Sequence, residues 1–505
     1  MPPPLRSPLR TGEGAFVAAL AVLAGARVLL LCAALPFFTN VDEHRHVDGV
    51  LKYARGYLPA PDNSDYEPET GRYLGLYGSP EFHLKPGPGG AYVVPPPLWE
   101  RPAESTSQRI DRTEAYLARR TNIEAMQPPA YYAAAAVWLR VGSALGLQGA
   151  VLLYWVRALA APLLFGLVWL AYRSLREVYP DDAFMRLGVP VLLAVFPLDV
   201  FYYVTRDALS PLVAGVGFLW AARLATASEP DRTAPWRTGL AAVIAFFAKY
   251  TNVALLVVTA LCTALALRAR EGARRLRGEG GRLLAMWVLI ALPIGAWLLR
   301  NQLVFGEVTA TAFKIERMGW GRRPLGVYFH HPLFTIDGFA VFVRELVPIF
   351  WRGEVAWHRV PLAIPAADAF YTVTTLVFLA FAAYGLFRGQ RPAERRTTEA
   401  LALLLVGGYV AGLALMSPLY IFHATSNPSA AMPYFVQGRL ISGAVLPFVL
   451  LYLRGIQVAT GAFPERFAKP IAWGALALVV AVAAGSEVWL HLPIFASPYN
   501  FYHLP

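Results

Sequence analysis

Cysteine is almost absent: two among 505 residues, Cys32 and Cys262, each inside an apolar run. That excludes a disulfide framework and a zinc knuckle. Charge is scarce as well. Charged residues make up 15% of the chain against 56% hydrophobic, whereas soluble domains average about 25% charged, so the composition is that of a membrane protein. No Walker loop, His-Glu-x-x-His, Gly-x-Ser-x-Gly or dinucleotide fingerprint occurs, which removes the usual nucleotide-driven and hydrolytic chemistries. Internal repeats and low-complexity linkers are missing too, so residues 1–505 read as one domain. The net charge of +12 does not point to nucleic acid, because the basic residues lie between apolar runs, as in cytoplasmic loops.

Apolar runs of roughly the 20 residues needed to cross a bilayer are what the chain has in abundance. They fall at 14–38, 150–172, 186–204, 208–226, 238–268, 283–299, 367–387, 398–420, 436–454 and 470–490. The first lacks a small-residue cleavage site and reads as a retained span. "RAREGARRLRGEGGR" (268–282) and "RGQRPAERR" (388–396) carry six and four arginines, which places both inside, with the short linker 228–237. The 238–268 segment then enters and leaves on one face, as two short helices turning near Lys249. By the same parity, 128–147 is an outer juxtamembrane or re-entrant helix. The expectation is an all-α polytopic protein of the plasma (inner) membrane with about eleven transmembrane helices. Its N-terminus is cytoplasmic, with long outer loops at 39–148 and 300–366.

On that topology the polar residues sort to one side. "DEHRH" (42–46), Arg206 and Asp207, Arg300 and Asn301, and Gln437 and Arg439 all sit at outer ends of spans, with Lys249 at the turn of the broken pair. Ionisable groups at membrane depth cost roughly 2.5–3.5 kcal/mol each at a helix centre and usually face a cavity. Plainer roles exist for each. Arg300 and Arg439 could snorkel to the interface, Asp207 could pair with Arg206 or cap a helix, and Lys249 could satisfy carbonyls freed at the break. On a helix starting near Val41, Asp42, Glu43 and His46 have spacings that let all three face one cleft.

A carboxylate raised in pKa by desolvation is a good general base, and arginines are matched to phosphate. Base plus phosphate clamp, opening sideways to lipid, suits transfer from a lipid-phosphate donor, with the active site on the outer side. No cofactor is expected. Alternatively, Asp42, Glu43, His44, His46 and Asp48 could assemble a divalent site, since carboxylate and imidazole suit Mn²⁺ or Zn²⁺.

"VDEHRHVDGVLKYARGYLP" (41–59) resembles the acidic first-loop motif of GT-C glycosyltransferases, integral membrane enzymes using polyprenyl-phosphate sugars, of the protein mannosyltransferase type. "QPPAYY" (127–132), "TRDAL" (205–209), Lys249 in "FFAKYTN" and "LLRNQLVFGE" (298–307) match further positions in order. "IFWRGEVAW" (349–357) and "VQGRL" (436–440) are more similar to a less characterised branch, with Arg352 replacing its usual glycine and Leu440 its usual tyrosine. The resemblance implies a glycosyltransferase moving a sugar from polyprenyl phosphate to a glycan, lipid or protein acceptor. Asp42 would be the base and Glu43 its acidic partner. Arg45, His46, Arg206, Asp207, Lys249, Arg300, Asn301, Gln437 and Arg439 would bind substrate, with Arg300 and Arg439 on the donor phosphate. Gly438, without a side chain, would let that phosphate approach the backbone. A transporter or flippase of lipid-linked glycans is the rival, since it would also use arginines and a broken helix.

Overall fold

The computed structural model describes residues 11–227, 231–269, 276–388, 392–424 and 427–504. The helices are α1 Thr11–Ala34, α2 Glu43–Ala54, α3 Pro68–Tyr77, α4 Ala103–Leu117, α5 Ala130–Ala144, α6 Gly149–Ala158, α7 Ala160–Val178, α8 Ala183–Val195, α9 Ser210–Thr226, α10 Ala234–Ala248, α11 Val253–Ala269, α12 Leu276–Phe305, α13 Thr311–Met318, α14 Ile336–Arg352, α15 Pro365–Phe387, α16 Ala393–Met416, α17 Val445–Thr460 and α18 Glu465–Phe495. Among the described residues strand is confined to two ladders of two residues a side, Gly321–Arg322 with Tyr420–Ile421 and Ala356–Trp357 with Val360–Pro361.

Among the described residues nine helices are long and apolar enough to cross a membrane, and two shorter apolar ones, α8 and α10, stand where the sequence put its third and fifth spans. The fold is all-α and multi-pass. α17 and α9 are buried on most sides and form the centre, whereas α12, α15 and α18 expose most of their surface, as helices bordering lipid do.

Two departures from regular helix matter. The expected span 186–204 is helical only to Val195, because Phe196 precedes Pro197 and takes the extended backbone (φ −62°, ψ 119°) such a position favours. Residues 196–209 therefore run as turns, carrying Asp199, Arg206 and Asp207. The 238–268 segment breaks where the sequence placed it: Lys249 is extended (φ −164°, ψ 135°) between α10 and α11. Residues 270–275, 389–391 and 228–230 of the three basic linkers lie outside the described residues.

The expected juxtamembrane helix at 128–147 is α5, which packs on α2. Trp138 and Trp155 lock it to α6, each indole N–H donating 2.7 Å to the other's carbonyl, with the rings stacked at 4.4 Å.

Candidate active site

The apolar run of α1 ends at Ala34, and its exit is fixed by one buried ion pair. Glu43 accepts from Arg157 through both oxygens at 2.7 Å, and both side chains are fully buried. Glu43 also accepts from the backbone N–H groups of Phe38 at 2.9 Å, Thr39 at 3.2 Å and Val204 at 3.0 Å. Arg157 spends its remaining donors on the carbonyls of Cys32, Leu35 and Pro36. A buried charge is tolerated only when paired and hydrogen-bonded this completely. The clamp ties the first loop to α6 and to the turn after α8. It also holds Phe38 and Asp42 at φ 62° and 63°, a backbone conformation non-glycine residues rarely adopt and which surrounding structure must enforce.

Because Glu43 points inward, its neighbour Asp42 points out, into a cavity of about 1300 Å³. Asp42 meets Arg45 at 3.1 Å and Arg439 at 3.4 Å. Burial alone would raise the Asp42 carboxyl, but the two guanidiniums prevail and hold it below the usual carboxylate range. Arg439 is shared out: Nη2 faces Asp42, Nη1 faces Asp207 at 3.5 Å and Nε faces Glu354 at 3.3 Å. Lys249 pairs with Asp207 and donates to the Arg439 carbonyl at 3.1 Å. Burial pushes Glu354 up from its ordinary value, against the pull of Arg439. Asp199, just behind, is pushed up to about 7 by burial and by Glu354's charge, and its Oδ2 accepts from the Glu354 N–H at 2.7 Å.

A second charged group lines the same cavity. Glu124, buried, pairs with Lys314 of α13 and with Arg206 at 3.3 Å, and Arg206 also donates to Gln127. Burial would raise Glu124, but Lys314 and Arg206 hold it well below the usual range.

Of the sequence candidates, Asp42, Arg45, Arg206, Lys249, Gln437 and Arg439 line this one cavity, and Asp207 stands directly behind Lys249 and Arg439. The others lie elsewhere. Glu43 is the clamp described above. His46 does not share a cleft with Asp42; its ring sits 2.8 Å from the Tyr132 hydroxyl and 3.5 Å from Thr205, and burial lowers it to about 4, leaving it neutral. Arg300 donates to the Pro59 carbonyl and lies over Trp297 at 5.3 Å, outside the cavity. Asn301 is buried against Tyr250 and the Val308 carbonyl. Helical spacing suggested convergence for the opening cluster, but the left-handed turn at Asp42 and the pull of Arg157 spread it apart.

The five residues weighed as a divalent site diverge likewise: Asp48 is taken up by Lys52, Asn122, Thr70 and the Glu67 N–H. Among the described residues no group of three His, Cys, Asp or Glu is placed to hold a metal ion. Gly438 is packed tightly against its neighbours. A Cβ there would stand 2.4 Å from the Phe350 Cα, so glycine permits close packing on α14. Arg352 pairs with Asp368 at 2.9 Å and does not face the cavity.

Sequence reasoning missed Glu354, Glu124, Lys314 and Arg157. Glu354 lay within a quoted motif, and Lys314 is one of only five lysines; both were legible as chemistry without an address.

Away from the charges the cavity continues as an apolar slot. Val253, Ala254, Val257 and Val258 of α11 form one wall, and Leu404, Gly408, Gly412, Leu413 and Met416 of α16 the other. From Met416 to Leu404 is about 18 Å at 1.5 Å per residue. Val257 and Leu404 on its walls are exposed, so the slot is open and not sealed. Its top meets Lys249 and Arg439.

A family model described as "Predicted membrane protein (DUF2142)" matches residues 88–451. No curated protein matches the chain. Among solved structures the chain is similar to ArnT from Cupriavidus metallidurans, crystallised with undecaprenyl phosphate, at 13% identity. That match covers 96% of this chain and 76% of that one, with a TM-score of 0.42.

Proposed function

The chain belongs to the DUF2142 family of predicted membrane proteins, and from that premise we propose that it is a GT-C-type glycosyltransferase using a polyprenyl-phosphate sugar. One observation carries this: a single cavity joins a mouth-facing carboxylate and a shared guanidinium to an apolar slot with exposed walls. The polyprenyl tail lies in the slot between α11 and α16, which delivers the phosphate to Arg439 and Lys249 at its top. Glu354 Oε1 and Gln437 Oε1 are buried on the wall without a hydrogen-bond donor, as acceptors for sugar hydroxyls would be.

Asp42 takes the proton of an acceptor hydroxyl, whose oxygen attacks the anomeric carbon. The bond from that carbon to the phosphate oxygen breaks, and the polyprenyl phosphate leaves with the electron pair, its charge held by Arg439 and Lys249. Before the donor arrives Arg439 is shared with Asp42, Asp207 and Glu354. A phosphate competing for that guanidinium withdraws it from Asp42 and makes Asp42 the stronger base. Glu43 acts through position alone, by turning Asp42 outward.

The basic residues bear on sidedness. Arg268 ends α11 away from Lys249, and Arg395 and Arg396 begin α16 at the end opposite Met416. Together with the positive-inside bias, this supports a cavity at the outer face of the membrane.

The test is purified protein with a panel of polyprenyl-phosphate sugars and candidate acceptors, read as free polyprenyl phosphate. Asp42→Asn should lose on the order of 10² to 10⁴ in rate with an unchanged melting temperature. Transfer within threefold of wild type in that variant removes Asp42 as base. Transport of intact lipid-linked sugar between leaflets, with none cleaved, favours the flippase instead.

A further inference from the structure

The cavity's charge is unevenly spread. Eight cationic side chains line it (Arg45, Arg119, Arg120, Arg206, Lys249, Lys314, Arg317 and Arg439) against the carboxylates of Asp42, Glu124 and Glu354. On the slot side the account balances. Arg45, Lys249 and Arg439 face Asp42, Glu354 and the adjoining Asp207. On the other side Arg206 and Lys314 share Glu124 as their ion-pair partner, and Arg119, Arg120 and Arg317 line the cavity beside them. Among the described residues, Arg119, Arg120 and Arg317 have no carboxylate within ion-pair distance.

This side is built as well as charged. Arg206 and Lys314 come from separate outer segments, and one buried carboxylate aims both heads at the cavity. Their side chains are only 10% and 23% exposed, so the cations are largely desolvated, a cost that needs compensation. Thr311, Lys314, Ile315 and Met318 put one face of α13 on the cavity wall, the i, i+3, i+4, i+7 pattern of a single helix side. That helix is set against the 124–127 segment by Ala310 packing on Ala125 and Met126.

We propose that the Arg206–Lys314 side, with Arg119, Arg120 and Arg317 at its rim, is a second anion-binding site, for a phosphate group other than the one held by Arg439 and Lys249. The assignment of the first phosphate rests on the function proposed above. The second belongs either to the donor, as the outer phosphate of a lipid diphosphate, or to the acceptor. Both present the same oxyanion, for which guanidinium is the matched donor.

Binding measurements on the full chain in detergent test this without requiring transfer. The probes are a short-chain polyprenyl monophosphate, the corresponding diphosphate, and inorganic phosphate added to monophosphate-saturated protein. If the second phosphate is the donor's, the diphosphate binds at least tenfold tighter than the monophosphate. If it is the acceptor's, the two lipids bind alike and inorganic phosphate still binds to the loaded protein. Arg206→Gln with Lys314→Gln should erase whichever signal is found while changing monophosphate affinity several-fold less. Because that pair leaves Glu124 buried alone, a second variant carries Arg119→Gln, Arg120→Gln and Arg317→Gln, all at exposed positions. It should weaken the second anion at least threefold and flatten its salt dependence. The absence in wild type of both a diphosphate advantage and phosphate binding overturns the second site. So does either signal persisting unchanged in both variants. Failure of transfer with these signals intact would instead strike only the glycosyltransferase assignment.

Discussion

Asp42 and Glu43 are consecutive carboxylates, each facing a guanidinium, and their surroundings are opposite. Glu43 and Arg157 meet through two 2.7 Å bonds, and every remaining polar atom of the pair is taken by backbone. Asp42 shares Arg439 with Asp207 and Glu354, at 3.3 to 3.5 Å and one nitrogen to each, on the wall of a large cavity. A bidentate, saturated pair defines one geometry and has no capacity left for a ligand. A guanidinium spread over three carboxylates is held in place yet open to competition. The first arrangement fits a structural role and the second a site, and burial alone would have ranked them the other way.

Breaking the saturated pair should have the largest effect. Arg157→Leu leaves Glu43 buried without its counter-charge, which costs about 3–5 kcal/mol. The expected outcome is a large fall in melting temperature in detergent, or no folded protein at all. Arg157→Leu with Glu43→Gln should recover part of the loss, because no charge is then buried and the amide oxygen still accepts from the backbone N–H groups. A single variant as stable as wild type would mean the clamp holds nothing, and the contrast with Asp42 would dissolve.

The shared guanidinium should respond in affinity and not in folding. Arg439→Lys keeps one positive charge but offers a single head where three separate nitrogens now address three carboxylates. Apparent KM for the lipid donor should rise at least tenfold, about 1.4 kcal/mol, with the acceptor KM little changed and the melting temperature kept. An unaltered donor KM would return Arg439 to a snorkelling role.

How much of this was readable beforehand follows from what each signal measures. Apolar runs report helices directly, so the long apolar helices, α5 and the break at Lys249 were legible in the sequence. The span 186–204 was overrun because hydropathy does not register that Pro197 ends the helix. At the site, charge at membrane depth singled out Arg439, Asp207 and Lys249, which the fold brings together at one cavity. It could not separate Asp42 from Glu43, because the partner that separates them, Arg157, sits 114 positions away in the chain. Arg300 and Asn301 carried the same polarity signal and were drawn instead to Pro59 and Tyr250. Polarity says that a residue needs a partner; only the fold says whether the partner is protein.

The smallest expected effect is the most specific to the shared arrangement, and it is a pH profile. In the free protein Arg45 and Arg439 outweigh burial and hold Asp42 below the usual carboxylate range. A depressed pKa keeps the basic form until pH falls through that lowered value, and its contribution to stability is lost there too. So kcat/KM, which reports the free enzyme, should stay flat on the acid side down to below the ordinary carboxylate range. With donor bound, the phosphate competes for Arg439, burial regains weight, and the acid limb of kcat should move to higher pH. One neighbour could imitate that limb: Asp199, pushed up to about 7 beside Glu354. As an acid raised on folding, Asp199 favours the folded state while protonated, and that advantage fades as pH climbs toward 7. Asp199→Asn removes it and should leave the kcat limb in place. Coincident acid limbs for kcat and kcat/KM in that variant would show that the donor does not release Asp42 from Arg439, and the two carboxylates would then differ in geometry but not in chemistry.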